Sequence, residues 1–121
     1  MIRTKMRLKI EKMKTNPPFF KQSKISMSLL LNHIANYISL TEKEQKLLLS
    51  KTETVEYKAK TILLNAGEIC KYSYFVNSGL LRSFNINDNI VEHVLHFACE
   101  GWWIGDMYSL LSQKPGNLFI E

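Results

Sequence analysis

The two cysteines are the residues whose chemistry would be most distinctive, either as metal ligands or as redox groups. Cys70 and Cys99 lie far apart and lack the Cys-x-x-Cys spacing of a zinc or redox site. Cysteines without such spacing in a cytosolic protein usually pack as small hydrophobic residues. We therefore predict two buried thiols, with a disulfide as the alternative that geometry allows.

The three histidines could bind a metal or transfer protons, but their spacing favours neither. His93 and His96 are three residues apart in a predicted strand, which places them on opposite faces. His33 lies in a predicted helix with no partner nearby in the sequence. The sequence has no His-x-His pair, no Walker loop, no dinucleotide fingerprint and no evident catalytic triad. We predict no metal site and no enzyme activity.

A stretch near the C-terminal end combines two tryptophans with a glycine–acid pair. Of Trp102 and Trp103, we expect one ring in the core and one partly exposed at a sheet corner. Gly105 followed by Asp106 is typical of a turn that leads into a helix with an aspartate N-cap. A ligand-binding role for this pair is the alternative.

Two helices precede a series of short strands in the predicted secondary structure. Residues 28–38 have apolar residues on one helical face. Thr41 and Glu44 form a capping box that opens a second helix ending near Ser50. Successive hairpins then predict a small antiparallel sandwich or barrel. The predicted strands are 52–57, 61–65, 72–77, 80–86, 90–98 and 117–121, with a short helix at 106–112.

Charge is distributed unevenly along the 121 residues, whose net charge is +5. Residues 1–24 contain eight Lys or Arg and one acid, which leaves eight basic and ten acidic residues, a net charge of −2, for the rest. Such a basic tail can contact nucleic acid or anionic lipid, but Asn16-Pro17-Pro18 interrupts any helix there. We expect residues 1–26 to be a disordered extension and 27–121 to be the folded domain.

No apolar run approaches the ~20 residues that a membrane-spanning helix needs, and the N-terminus lacks the apolar core of a secretory signal. We therefore expect a cytoplasmic protein that does not enter the membrane.

Three motifs lie in order along the predicted strands: Ala66-Gly67-Glu68, the run from Tyr74 to Arg82 with its Phe-Val-x-x-Gly hairpin, and the run from Gly101 to Met107. Together they resemble the cyclic-nucleotide-binding domain of the Crp/Fnr transcription regulators. The resemblance spans residues 28–121 and implies a mainly β fold with N-terminal helices. The expected architecture is an incomplete double-stranded β-roll of jelly-roll type.

The resemblance also implies a ligand site. In the family, a glycine lets the backbone approach a cyclic nucleotide, a carboxylate contacts the ribose, and an arginine neutralises the phosphate. Carried onto this chain, Gly105 takes the backbone role, Asp106 replaces the usual glutamate, and Met107 fills a hydrophobic position. Gly116 and Asn117 occupy the positions of the family's Arg-Ser pair.

The missing arginine changes the expected ligand. No arginine follows Arg82, and Lys114 is a poorer partner for a phosphate. We predict weak or no cAMP binding, with a cyclic nucleotide or another small effector as the candidate ligand.

By resemblance, the chain is a sensory domain whose ligand state controls DNA binding through a C-terminal helix-turn-helix, and a homodimer is a candidate assembly. That DNA-binding domain and the dimerisation helix before it are absent from this sequence, so we expect a truncated regulator. The alternatives are a stand-alone β-roll that binds other proteins, or a non-functional fragment.

Overall fold

The computed structural model describes residues 8–13 and 27–121. Within these residues, strands outnumber helices, and the helices are short. The elements are β1 (Leu8–Met13), α1 (Met27–Ala35), α2 (Glu42–Ser50), β2 (Thr52–Tyr57), β3 (Ser73–Ser78), β4 (Leu81–Ile86), β5 (Glu92–Ala98), β6 (Trp103–Ile104), α3 (Met107–Ser112) and β7 (Phe119–Ile120).

The strands form two antiparallel sheets. One has the order β2-β1-β3-β6, and the other has the order β5-β4-β7. The link between β3 and β4 crosses from one sheet to the other through Gly79, whose φ of 100° few other residues would adopt. The predicted mainly β architecture with helices before the strands is confirmed.

Strand β1 differs from the prediction that residues 1–26 form a disordered extension. Leu8–Met13 pairs with β2 on one side and with β3 on the other. The segment alternates apolar and charged residues over its first four positions, which suits a strand. Strands β2 and β3 are not neighbours in the sheet, and each forms backbone hydrogen bonds with β1, which lies between them. The other residues of the predicted extension, 1–7 and 14–26, lie outside the described residues.

The predicted strand at 61–65 is not formed. Leu64 makes an isolated bridge with Ile120 instead. Lys60 has a left-handed φ of 62°, so the chain turns sharply after β2 and does not continue as a strand. The other predicted strands and the short helix are found close to their predicted bounds.

The predicted capping box is present at the start of α2, and α1 is shorter than predicted. The Thr41 hydroxyl accepts a hydrogen bond from the Glu44 backbone, and the Glu44 carboxylate accepts one from the Thr41 backbone. The Thr41 backbone N–H and the Thr41 hydroxyl both donate to the Glu44 carboxylate, and these two bonds lower the pKa of Glu44. Helix α1 ends at Ala35 rather than at 38, so Tyr37 and Ile38 are exposed.

Strand β3 is buried on both faces and joins the two layers of the core. Tyr74 and Val76 belong to the cluster between the sheets. Phe75 packs on the other side, with its ring centroid 5.1 Å from that of Trp103 and 5.4 Å from that of His33 on α1. The main cluster consists of Leu64, Cys70, Tyr74, Val76, Leu81, Ala98, Ile104 and Ile120.

Within the described residues, no helix has both the length and the apolar character that crossing a membrane requires.

Candidate functional site

A cavity of about 340 Å³ opens between the β4–β5 hairpin and the turn that leads from β6 into α3. Its lining is mostly apolar, with two serine hydroxyls and one imidazole. The lining residues are Ser73, Ser83, Leu95, His96, Trp103, Ile104, Gly105, Met107 and Leu118.

A β-bulge shapes the hairpin side of this cavity. Ser83 pairs with His96 and Phe84 pairs with Val94, which leaves Leu95 as an extra residue in β5. The bulge interrupts the alternation of the strand, and Leu95 and His96, although consecutive, both line the cavity.

The same bulge corrects the expected placement of His93 and His96. Their partners on β4 are Asn85 and Ser83, which are two residues apart and therefore share a face of the sheet. The prediction of opposite faces was wrong because it assumed an unbroken strand. Among the described residues, no group of three His, Cys, Asp or Glu side chains could hold a metal ion.

Gly105 and Met107 lie where a ligand site was predicted, in the wall of the cavity. A β-carbon at Gly105 would be 3.5 Å from the Ser73 Cα and 3.5 Å from the Tyr72 carbonyl oxygen, which is ordinary contact. The protein packing therefore does not itself demand a glycine here. Met107 is half exposed at the rim.

Asp106 lies between them but is absent from the cavity lining. Its side chain is 5% exposed, and its Oδ1 accepts a hydrogen bond of 3.0 Å from the Ser109 backbone. Asp106 is the N-cap of α3, as the turn-and-cap interpretation predicted.

Ser109 is a buried residue that the sequence analysis did not single out. Its hydroxyl accepts a hydrogen bond of 2.8 Å from the Cys70 backbone and donates one of 2.6 Å to the Lys114 carbonyl. These bonds tie α3 to the segment before β3 and to the turn that follows the helix. Nothing in the local sequence marks this serine, because one partner lies 39 residues away.

Gly116 and Asn117 do not line the cavity. The Gly116 backbone accepts a hydrogen bond from Gly67 and donates one to Glu68. A β-carbon at Gly116 would overlap Oδ2 of Asp106. The position of the family's arginine therefore cannot carry a side chain unless Asp106 moves. Asn117 is exposed.

The basic side chains near the cavity do not point into it. Arg82 forms ion pairs of 2.9 Å with Glu92 and with Glu121, and these contacts raise its pKa. Its guanidinium carbon lies 4.3 Å from the centre of the Phe84 ring. Lys114 is exposed and contributes its carbonyl to the Ser109 bond. The cavity, as lined by described residues, contains no Lys, Arg, Asp or Glu.

Comparison with protein families decides the nature of this fold. The family model described as "Cyclic nucleotide-binding domain" matches residues 54–117, which is more than half of the chain. The chain belongs to the cyclic nucleotide-binding domain family. The match begins in β2 and covers the hairpin, the turn at Gly105 and helix α3, so nearly all of the cavity lining falls inside it. A search of the curated proteins finds no significant match.

Within this cyclic nucleotide-binding domain, the two antiparallel sheets form the β-roll that the sequence predicted. The family is a class of ligand-binding regulatory domains, which supports a ligand-binding role for the chain. The roles of the individual site residues stay predictions.

Proposed function

We propose that this chain is the effector-binding domain of a transcription regulator of the Crp/Fnr type, and that the effector occupies the cavity beside Gly105. The observation that carries the proposal is the position of Gly105 and Met107 in the wall of a cavity inside the family match. The effector would bias DNA binding by a separate domain, which is a coupling between two sites.

The proposed effector is not cAMP. A cyclic phosphate in this cavity would meet no guanidinium or ammonium group among the described lining residues. A charge-assisted hydrogen bond contributes about 1.5–3 kcal/mol, so its loss weakens binding by about ten- to a hundredfold. Lys114 and Arg82 do not compensate, since neither lines the cavity.

A substitution at the cavity rim tests this proposal. We expect Met107→Arg to bind cAMP about ten- to a hundredfold more tightly than the unchanged protein, because the new guanidinium supplies the missing charge. Met107→Gln, which adds a polar group without charge, serves as the control. Isothermal titration calorimetry measures both dissociation constants. An unchanged protein that already binds cAMP as tightly as the arginine variant contradicts the proposal.

The regulator context rests on the family resemblance, and the gene itself can test it. We expect the reading frame beyond the codon for Glu121 to encode a long helix and a helix-turn-helix. A frame that encodes a catalytic domain or a membrane channel instead would contradict the transcriptional role. We also propose a cytoplasmic location, which cell fractionation with an antibody to the chain can check.

Strand β5 favours a second candidate function, an association surface for another protein or a second copy. Val94 and Phe97, which lie opposite Phe84 and Arg82 and so share a face, are 41% and 53% exposed on this edge strand. If the surface associates, Phe97→Glu should lower the mass measured by light scattering. Tyr108→Glu, at an exposed aromatic residue on α3, should not. If light scattering finds the unchanged protein monomeric at every concentration, association with a second copy is excluded.

A further inference from the structure

Ser83 lies in the cavity wall, is nearly buried, and has no hydrogen-bond partner for its hydroxyl among the described residues. It is 4% exposed, it lines the cavity, and its side chain makes no hydrogen bond to another described residue. Because the residue lines the cavity, a ligand there can supply the hydrogen-bond partner that the protein does not. Ser109 on α3 is also buried but differs, since its hydroxyl both accepts and donates a hydrogen bond.

Two further polar groups face the same space. Ser73 lines the cavity beside Gly105, and His96 lies directly opposite Ser83 in the β4–β5 ladder. The ring of His96 lies 6.1 Å from that of Trp102, and no hydrogen bond joins it to another described residue. The cavity therefore offers two hydroxyls and an imidazole to whatever fills it.

The remaining surface of the cavity is apolar and carries no formal charge. It consists of side chains from both sheets and from the turn before α3: Leu95, Trp103, Ile104, Met107 and Leu118. The carboxylate nearest in sequence, Asp106, is turned into the N-cap of α3. A charged ligand would give up part of its hydration here and would meet no Lys, Arg, Asp or Glu side chain among the described lining residues, which is costly.

We propose that this cavity binds an uncharged, largely apolar ligand, and that the Ser83 hydroxyl is the hydrogen-bonding group that selects it. The inference rests on the proposed effector role, and it specifies the class of effector. A hydroxyl or carbonyl on the ligand would pair with Ser83, while a ring or short aliphatic group would pack against Leu95 and Trp103. Ser83 is thus a specificity-determining residue.

Matched probes that share a ring system and differ mainly in charge test the ligand class. The pairs are cAMP with its uncharged methyl triester, indole-3-carboxylate with indole-3-carboxamide, and benzoate with methyl benzoate. Each is titrated into the full chain while the backbone amide of Ser83 is followed by NMR. We expect the uncharged member of each binding pair to bind at least about tenfold more tightly, because it avoids burying an unpaired charge.

Variants of Ser83 test its role. Ser83→Ala should weaken binding of the tightest-binding uncharged probe by about two- to tenfold, which is the effect of losing one neutral hydrogen bond. Ser83→Thr, which keeps the hydroxyl, should restore most of that loss. Ser112→Ala, at an exposed serine outside the cavity, is the control.

The outcomes separate this inference from the effector proposal. If the anionic probes bind more tightly and move the Ser83 signal, the inference fails while the effector role stands. If the Ser83→Ala variant binds the uncharged probe as tightly as the unchanged protein does, Ser83 does not determine specificity. If no probe moves the Ser83 signal at millimolar concentration, both the inference and the effector role fail.

Discussion

The cavity has two walls that are held in place differently. The helix wall, residues 105–118, has its buried polar side chains occupied by the protein: Asp106 caps α3, and Ser109 bonds both Cys70 and Lys114. The hairpin wall, residues 83–96, leaves Ser83 and most of β5 open to the cavity or to solvent.

This difference separates stability from recognition. A wall whose buried polar groups are used internally is held firmly but has little to offer a ligand. A wall with unpartnered groups and exposed side chains contributes less to folding and more to ligand choice. We therefore expect substitutions in the helix wall to change the free energy of unfolding and those in the hairpin wall to change ligand binding.

The largest effect should come from Gly116→Ala in the helix wall. Its β-carbon would overlap the Asp106 carboxylate and displace the N-cap of α3. Overpacking and the lost cap together should cost about 2–4 kcal/mol of unfolding free energy in urea titrations. In an Asp106→Ala background the same change should cost much less, because the overlapping group is gone. Equal costs in both backgrounds would refute the proposed contact.

The next effect should come from Ser109→Ala. The substitution leaves the buried Cys70 N–H without its acceptor, which should cost about 1–3 kcal/mol. Ser112→Ala on the same helix is exposed and should change stability by less than about 0.5 kcal/mol. Thermal unfolding of both variants makes the comparison, and similar melting temperatures would show that the buried bonds of Ser109 contribute nothing.

A smaller effect, visible mainly in alkali, should come from Tyr74 in the core. Burial raises the pKa of its phenol above the ordinary value, and its hydroxyl donates to the Leu63 carbonyl. Because the unfolded tyrosine ionises first, stability is fully present below about pH 10 and falls as the pH rises above it.

Tyr74→Phe should cost about 0.5–1.5 kcal/mol at neutral pH, through the lost hydrogen bond. It should also reduce the loss of stability between neutral and strongly alkaline pH. Urea titrations across this range would measure both effects. An identical alkaline decline in the two proteins would show that Tyr74 does not titrate with unfolding.

The smallest effect on stability should come from Leu95→Ala in the hairpin wall. The side chain is 57% exposed, so unfolding should change by less than about 0.5 kcal/mol. Binding of an apolar probe should nevertheless weaken, since Leu95 lines the cavity. A clear loss of stability, measured by urea denaturation, would show that the hairpin wall contributes to folding as the helix wall does.

Local patterns in the sequence predicted much of this molecule. Most of the predicted strands, the capping box at Thr41 and the turn before α3 are encoded by neighbouring residues, and the structure contains them. The N-cap role of Asp106 was also readable, because an aspartate at the start of a helix has a strong local preference.

Features that depend on distant residues could not be predicted. The bulge at Leu95 is defined by its register against β4. The burial of Ser109 depends on Cys70, and the crowding at Gly116 depends on Asp106. The insertion of β1 between β2 and β3 is a long-range pairing that strand propensity alone does not specify.

The central place of β1 has a practical consequence for anyone who shortens this chain. A fragment that starts at Met27, or at the first residue of the family match, would remove the strand that joins β2 to β3. Two rows of backbone amides and carbonyls would then border an empty groove one strand wide. Such a fragment should precipitate or capture foreign peptides in that groove, whereas a version that retains Leu8–Met13 should remain soluble.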